Sequence, residues 1–64
     1  MNVLVTTATA YLLQAALQAG RSEARCSLDL GRSEVAVEPT AAGFRWQGSD
    51  YLWPARLRER TVYH

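Results

Sequence analysis

Catalysis needs a few polar side chains brought to one place, and this sequence offers few that qualify. The acids Asp29, Glu34 and Glu38 lie close together in the chain, and two carboxylates in one site can divide acid and base roles. They alternate with apolar residues, however, which places them on the solvent side of strands. Asp29-Leu30-Gly31 has the form of a metal-binding turn of phosphoryl-transfer enzymes, but none of the elements that accompany that turn is present. It reads as a hairpin turn with Asp29 on its polar side. Cys26 is the single thiol and His64 the single histidine. A nucleophilic cysteine needs a base or a positive neighbour, and these two residues, distant in the chain, build neither a catalytic pair nor a metal site. Cys26 falls in phase with Ala24, Leu28 and Leu30, as a small core residue would. No glycine-rich stretch has phosphate-loop spacing. The sequence therefore predicts no catalytic, cofactor-binding or metal-ligating residue, and a protein that is not an enzyme.

The densest chemistry lies at residues 44–60, FRWQGSDYLWPARLRER, which hold both tryptophans, the single phenylalanine and four of the seven arginines. Rings interleaved with arginines can stack on the bases of a single-stranded nucleic acid. Alternation argues for packing instead, because it places Phe44 and Trp46 on one face of a strand and Arg45 on the other. A stacking platform needs its rings on the open face. The nucleic-acid reading, with Arg45, Arg56, Arg58 and Arg60 as contacts, is the alternative and not the first choice.

These residues must be positioned by few elements. From Thr6 to Ala19 the chain reads as a helix, with Gly20 placed to end it in the left-handed conformation. Thr7, Gln14, Gln18 and Arg21 form a narrow polar stripe, while Leu4, Ala8, Leu12, Ala15, Ala16 and Ala19 cover a broad opposite face. Leu13 and Leu17 occupy a further flank, which one small sheet cannot also cover. The period then changes from 3.6 to 2, the signature of half-buried antiparallel strands. Residues 24–30 and 34–38 form two strands around a turn at residues 31–33. Pro39 and Gly43 end the second, and FRWQ forms a third. A turn at residues 48–50 leads to a short edge strand holding Tyr51 and Trp53, and Pro54 opens a short C-terminal helix through ARLRER. The expected fold is α+β: an N-terminal helix packed on a three- to four-stranded antiparallel meander, followed by that short helix. Val62 and Tyr63 read as the start of a further strand, so the single domain, residues 1–64, is expected to be the N-terminal piece of a longer protein.

Sixty-four residues bury only about 60% of the unfolded surface on folding, so a second copy or a neighbouring domain would add stability. The net charge of +1 gives no electrostatic footprint for nucleic acid. All basic residues are arginine, a codon pattern that suggests a GC-rich bacterium. The apolar start lacks the positive residues of a signal peptide and is too polar to span a bilayer, which places the protein in the cytoplasm, where a lone thiol stays reduced.

From SLDLG through RSEVAVE to FRWQGSDYLWP, over residues 22–64, the chain resembles the N-terminal extension of bacterial spermidine synthase-like, S-adenosylmethionine-dependent methyltransferase-like proteins. The resemblance implies an appendage that packs on, or oligomerises, a catalytic domain. It assigns no site residue here, because the nucleotide-binding loop would lie downstream of His64. The expected function is a non-catalytic assembly or interaction module, a homo-oligomer or a partner of a larger enzyme, with Tyr11, Leu13, Leu17 and Trp53 as contacts.

Overall fold

The structure, a computed structural model, describes residues 2–64. Its elements are β1 (Asn2–Val5), α1 (Thr7–Gln18), β2 (Ala24–Ser27), β3 (Glu34–Pro39), β4 (Gly43–Trp46), β5 (Ser49–Leu52) and β6 (Arg60–Tyr63). All the strands join one antiparallel sheet in the order β1-β6-β5-β4-β3-β2, curled into a half-barrel around the helix. The expected three- to four-stranded meander with two helices is thus corrected, among the described residues, to six strands and one helix.

The two additional strands are the ends of the chain. Val3 and Val5 alternate with Asn2 and Leu4, and β1 pairs antiparallel with β6 from Asn2 opposite Tyr63 to Val5 opposite Arg60. Val62 and Tyr63, expected to start a further strand, lie in β6, which also meets β5 at Leu52 and Tyr63, whereas β1 is too short for its alternation to stand out in sequence. Residues 54–59 form bends and no helix. With Leu57 as its main apolar contact, so short a segment cannot offset the cost of helix nucleation.

The helix begins at Thr6, whose extended backbone (φ −79°, ψ 160°) lets its hydroxyl accept the Thr9 N–H at 3.1 Å. It ends as expected at Gly20, with φ +75°. There the Gly20 N–H bonds the Leu17 carbonyl and the Arg21 N–H bonds the Ala16 carbonyl, both at 3.0 Å, the paired bonds of a Schellman motif. Ala10, Leu13 and Ala16 are the buried positions. The expected orientation is therefore rotated. Leu13, expected on an exposed flank, is 1% exposed and fills the concavity of the sheet, with small alanines one turn to either side letting the backbone come close.

Every strand adds to this core: Val3 and Val5, Ala24 and Cys26, Val37, Phe44, Tyr51 and Val62 are all buried, with Leu28 just beyond β2. Strand β2 stops at Ser27 because Asp29, Leu30 and Gly31 take successive positive φ values of 57°, 45° and 104°, which no strand accommodates. Leu30, expected in phase with Leu28, consequently points to solvent. The β4–β5 turn is also shifted. Gln47 and Gly48 occupy it with φ of 51° and 79° and Trp46 faces Ser49, a two-residue hairpin whose left-handed positions match the twist of the strands. The turn expected at residues 48–50 is one residue too late. The register that results sets Phe44 opposite Tyr51.

Candidate functional site

The aromatic residues of 44–60 resolve first. Phe44 is fully buried, and its ring stacks on that of Tyr51 with centroids 4.9 Å apart and planes 9° from parallel. Trp53 tilts against Phe44 at 5.5 Å and Trp46 against Tyr51 at 6.2 Å. His64 stacks on Tyr51 at 5.2 Å. Edge and offset contacts of this kind add about 0.5–1.5 kcal/mol per pair beyond burial. The rings are the centre of the core, and both tryptophans pack half-buried against it.

The arginines lie elsewhere. Arg45 stands on the convex face in a row across three strands, with Glu38 on β3 and Asp50 on β5 as its cross-strand neighbours. Its Nε donates to Asp50 Oδ1 at 2.8 Å, and Nη1 lies 3.9 Å from Glu38 Oε1. The hydrogen bond from Arg45 holds the Asp50 carboxyl below its ordinary value and raises the guanidinium in turn. Both groups are solvated, so the pair orders the row more than it stabilises the fold. Arg56 and Arg58 are exposed in the β5–β6 connection, and Arg60 is half-buried on β6. Arg45 thus lies on the face opposite the packed rings and is already engaged by two acids.

The acids do not converge either. The Asp29 carboxylate accepts the Leu4 N–H at 2.7 Å, and the Asp29 N–H donates to the Leu4 carbonyl at 2.8 Å. Asp29 is a structural clasp that ties the loop after β2 to the edge of β1, a role that the sequence gives no means of seeing. Among the described residues no three His, Cys, Asp or Glu side chains group as a metal site would require. Cys26 is buried, and burial, with Glu34 nearby, pushes its thiol above the ordinary value.

The outer face of α1 is apolar. No residue of α1 is charged, and Ala8, Tyr11, Leu12, Ala15 and Ala19 all face outward. Tyr11 is 61% and Leu12 46% exposed. Beside this face runs a groove of about 620 Å³ between the helix and β2, bounded by Leu12, Ala15 and Ala19 on one side and Glu23, Ala24 and Arg25 on the other. A smaller depression of about 270 Å³ continues it past Leu12 and Arg25 to Thr9 and Ser27. A separate hollow of about 560 Å³ lies where Trp46 meets the loop carrying Asp29 and Arg32.

Of the expected contacts, Tyr11 and Leu17 are exposed, Trp53 is half-buried against the core, and Leu13 is inside it. Leu12, assigned from sequence to the covered face, is the large residue that was missed. Sequence could have found it only by fixing which apolar flank of α1 the sheet covers.

Comparison with protein-family models, curated proteins and solved structures returned no match. Among the described residues no helix is long and apolar enough to cross a membrane.

Proposed function

We propose that this chain is a non-catalytic assembly module that self-associates through the outer face of α1. The observation that carries the reading is that face itself: a helix without a single charged residue, with Tyr11 and Leu12 exposed amid Ala8, Ala15 and Ala19. A surface helix of a monomer ordinarily carries charge on the side away from its core. Small side chains around two large ones let another backbone approach closely, and aromatic anchors commonly dominate such contacts. Size supports the same reading, since a domain this small gains proportionately much from surface covered by a second copy. Placement beside a methyltransferase-like catalytic domain in a bacterial cytoplasm is the setting that the motifs of residues 22–64 suggest for such a module.

Sedimentation equilibrium of the wild type and of Leu12→Arg tests the proposal. The expected result is a self-associating wild type and a variant that is folded by circular dichroism and monomeric. A variant that associates as tightly as the wild type would remove the helix face from the interface.

A further inference from the structure

The sheet has two edges, β1 and β2, and the fold treats them differently. On β1 the outward N–H and C=O of Leu4 are both taken by Asp29, so that edge is covered where another strand would add. On β2 the alternation can be followed from the far side of β3. Thr40 and Gly43 exchange both backbone bonds, at 3.0 and 3.3 Å, which turns Glu38 towards β4 and leaves Val37 and Val35 to bond β2. Their partners there are Ala24 and Cys26. The N–H and C=O of Arg25 and Ser27 consequently point outward, away from the sheet. The Ser27 carbonyl accepts the Thr9 hydroxyl at 3.4 Å. Among the described residues nothing takes the two groups of Arg25, and beside them lies the groove floored by Leu12, Ala15 and Ala19.

The side chains along this open edge are self-complementary. Glu23 and Arg25 are both exposed and two residues apart, so they share the convex face, with Ala24 between them on the concave side. We propose that two copies of the chain pair antiparallel through β2 about a two-fold axis at Ala24, joining their sheets into one. This deepens the self-association reading and rests on it. In that register Arg25 donates its N–H to the carbonyl of the partner's Glu23 and accepts from the same residue's N–H, extending β2 by one residue. The Glu23 carboxylate stands opposite the partner's Arg25 guanidinium, twice by symmetry. Ala24 meets its own copy in a non-hydrogen-bonded pair, where Cα atoms lie about 4.5 Å apart and a small side chain fits.

The neighbouring registers of the same phase lack this match: centred on Glu23, the pairing sets glutamate against glutamate. Centred on Arg25, the pairing sets arginine against arginine, which is destabilising. Centred on Cys26, it sets Arg25 against serine and leaves Glu23 without an opposite charge. Pairing about Ala24 also brings the partner strand along the groove, covering the flank of α1 that carries Leu12, Ala15 and Ala19.

The test is a charge exchange read by native mass spectrometry on the full chain, with circular dichroism to verify folding. Glu23→Arg and Arg25→Glu each place like charges at both crossings and should each weaken the dimer about tenfold. Mixed in equal amounts, the two variants set the introduced arginine of one against the introduced glutamate of the other. At the second crossing the native Arg25 of the first meets the native Glu23 of the second, so a heterodimer of wild-type strength should form. Single variants that dimerise like the wild type, while Leu12→Arg abolishes association, would overturn the strand register and leave the helix-face reading standing. A mixture that fails to restore the dimer would overturn the register too. A wild type that is monomeric at every concentration would overturn both.

Discussion

Replacing Gly43 with alanine separates two reasons for glycine. Gly43 does not have positive φ; what requires it is space, since a Cβ there would fall inside the van der Waals envelope of the Tyr51 carbonyl, with Leu52 Cα 3.0 Å away. Both obstacles are backbone in the paired strand, so β4 and β5 must part. Overpacking of this kind costs about 1–3 kcal/mol, and stretching ladder bonds such as Trp53 N–H to Ala42 C=O, now 2.7 Å, adds about 1 kcal/mol for each bond lost. Against a total stability of about 3–10 kcal/mol for a domain of this length, a loss of about 3 kcal/mol lowers Tm by roughly 12–24 °C. Gly48→Ala is the control. Its φ is +79° but nothing lies within 4 Å of the added carbon, so it meets only left-handed strain, about 1–2 kcal/mol. Thermal melts followed by circular dichroism compare the two. A Gly43→Ala protein that melts at or above Gly48→Ala would refute the close approach of β4 and β5.

Three further outcomes are expected. Asp29→Ala should cost about 1–3 kcal/mol in chemical denaturation because the Leu4 N–H loses its acceptor, whereas Asp29→Asn, which keeps an acceptor and tolerates positive φ, should cost distinctly less; equal losses would show that the clasp is unimportant. The Asp50 carboxyl titrates below its unfolded value, so its contribution is present above the ordinary carboxylate range and lost as pH falls through the folded value. The Tm advantage of the wild type over Asp50→Asn should accordingly close on acidification, and an advantage independent of pH would count against the pairing with Arg45. The Cys26 thiol titrates above its unfolded value, so its contribution is full at neutral pH and declines as pH rises through the thiol range. The native protein should react with a thiol reagent far more slowly than the unfolded chain at neutral pH, and equal rates would contradict the burial of Cys26.

The helix was legible from Thr6 to Gly20 because an apolar period and a terminal glycine agree; the cap that Thr6 supplies was seen only in the structure. The facing of that helix was not, since both of its flanks are apolar and only the curvature of the sheet selects Leu13 over Leu12. Alternation placed Phe44, Trp46 and Cys26 on the inner side of their strands. It failed at Leu30, where three left-handed residues end the strand, and at Gln47, which takes a turn position more often filled by asparagine, aspartate or glycine. The β1–β6 ladder joins the two ends of the chain, and no local pattern specifies such a pairing. The candidate surface was visible only as a helix with too little polar area. The open backbone of Arg25 belongs to the topology of the sheet, because which strand lies at an edge cannot be read from its own residues.

Self-association stands or falls on the molar mass of the wild type in solution, measured by light scattering over a dilution series from millimolar to micromolar protein. A mass near twice the 7.1 kDa of the chain is expected at the highest concentrations, falling towards the monomer value on dilution. A constant 7.1 kDa across the whole series would contradict it.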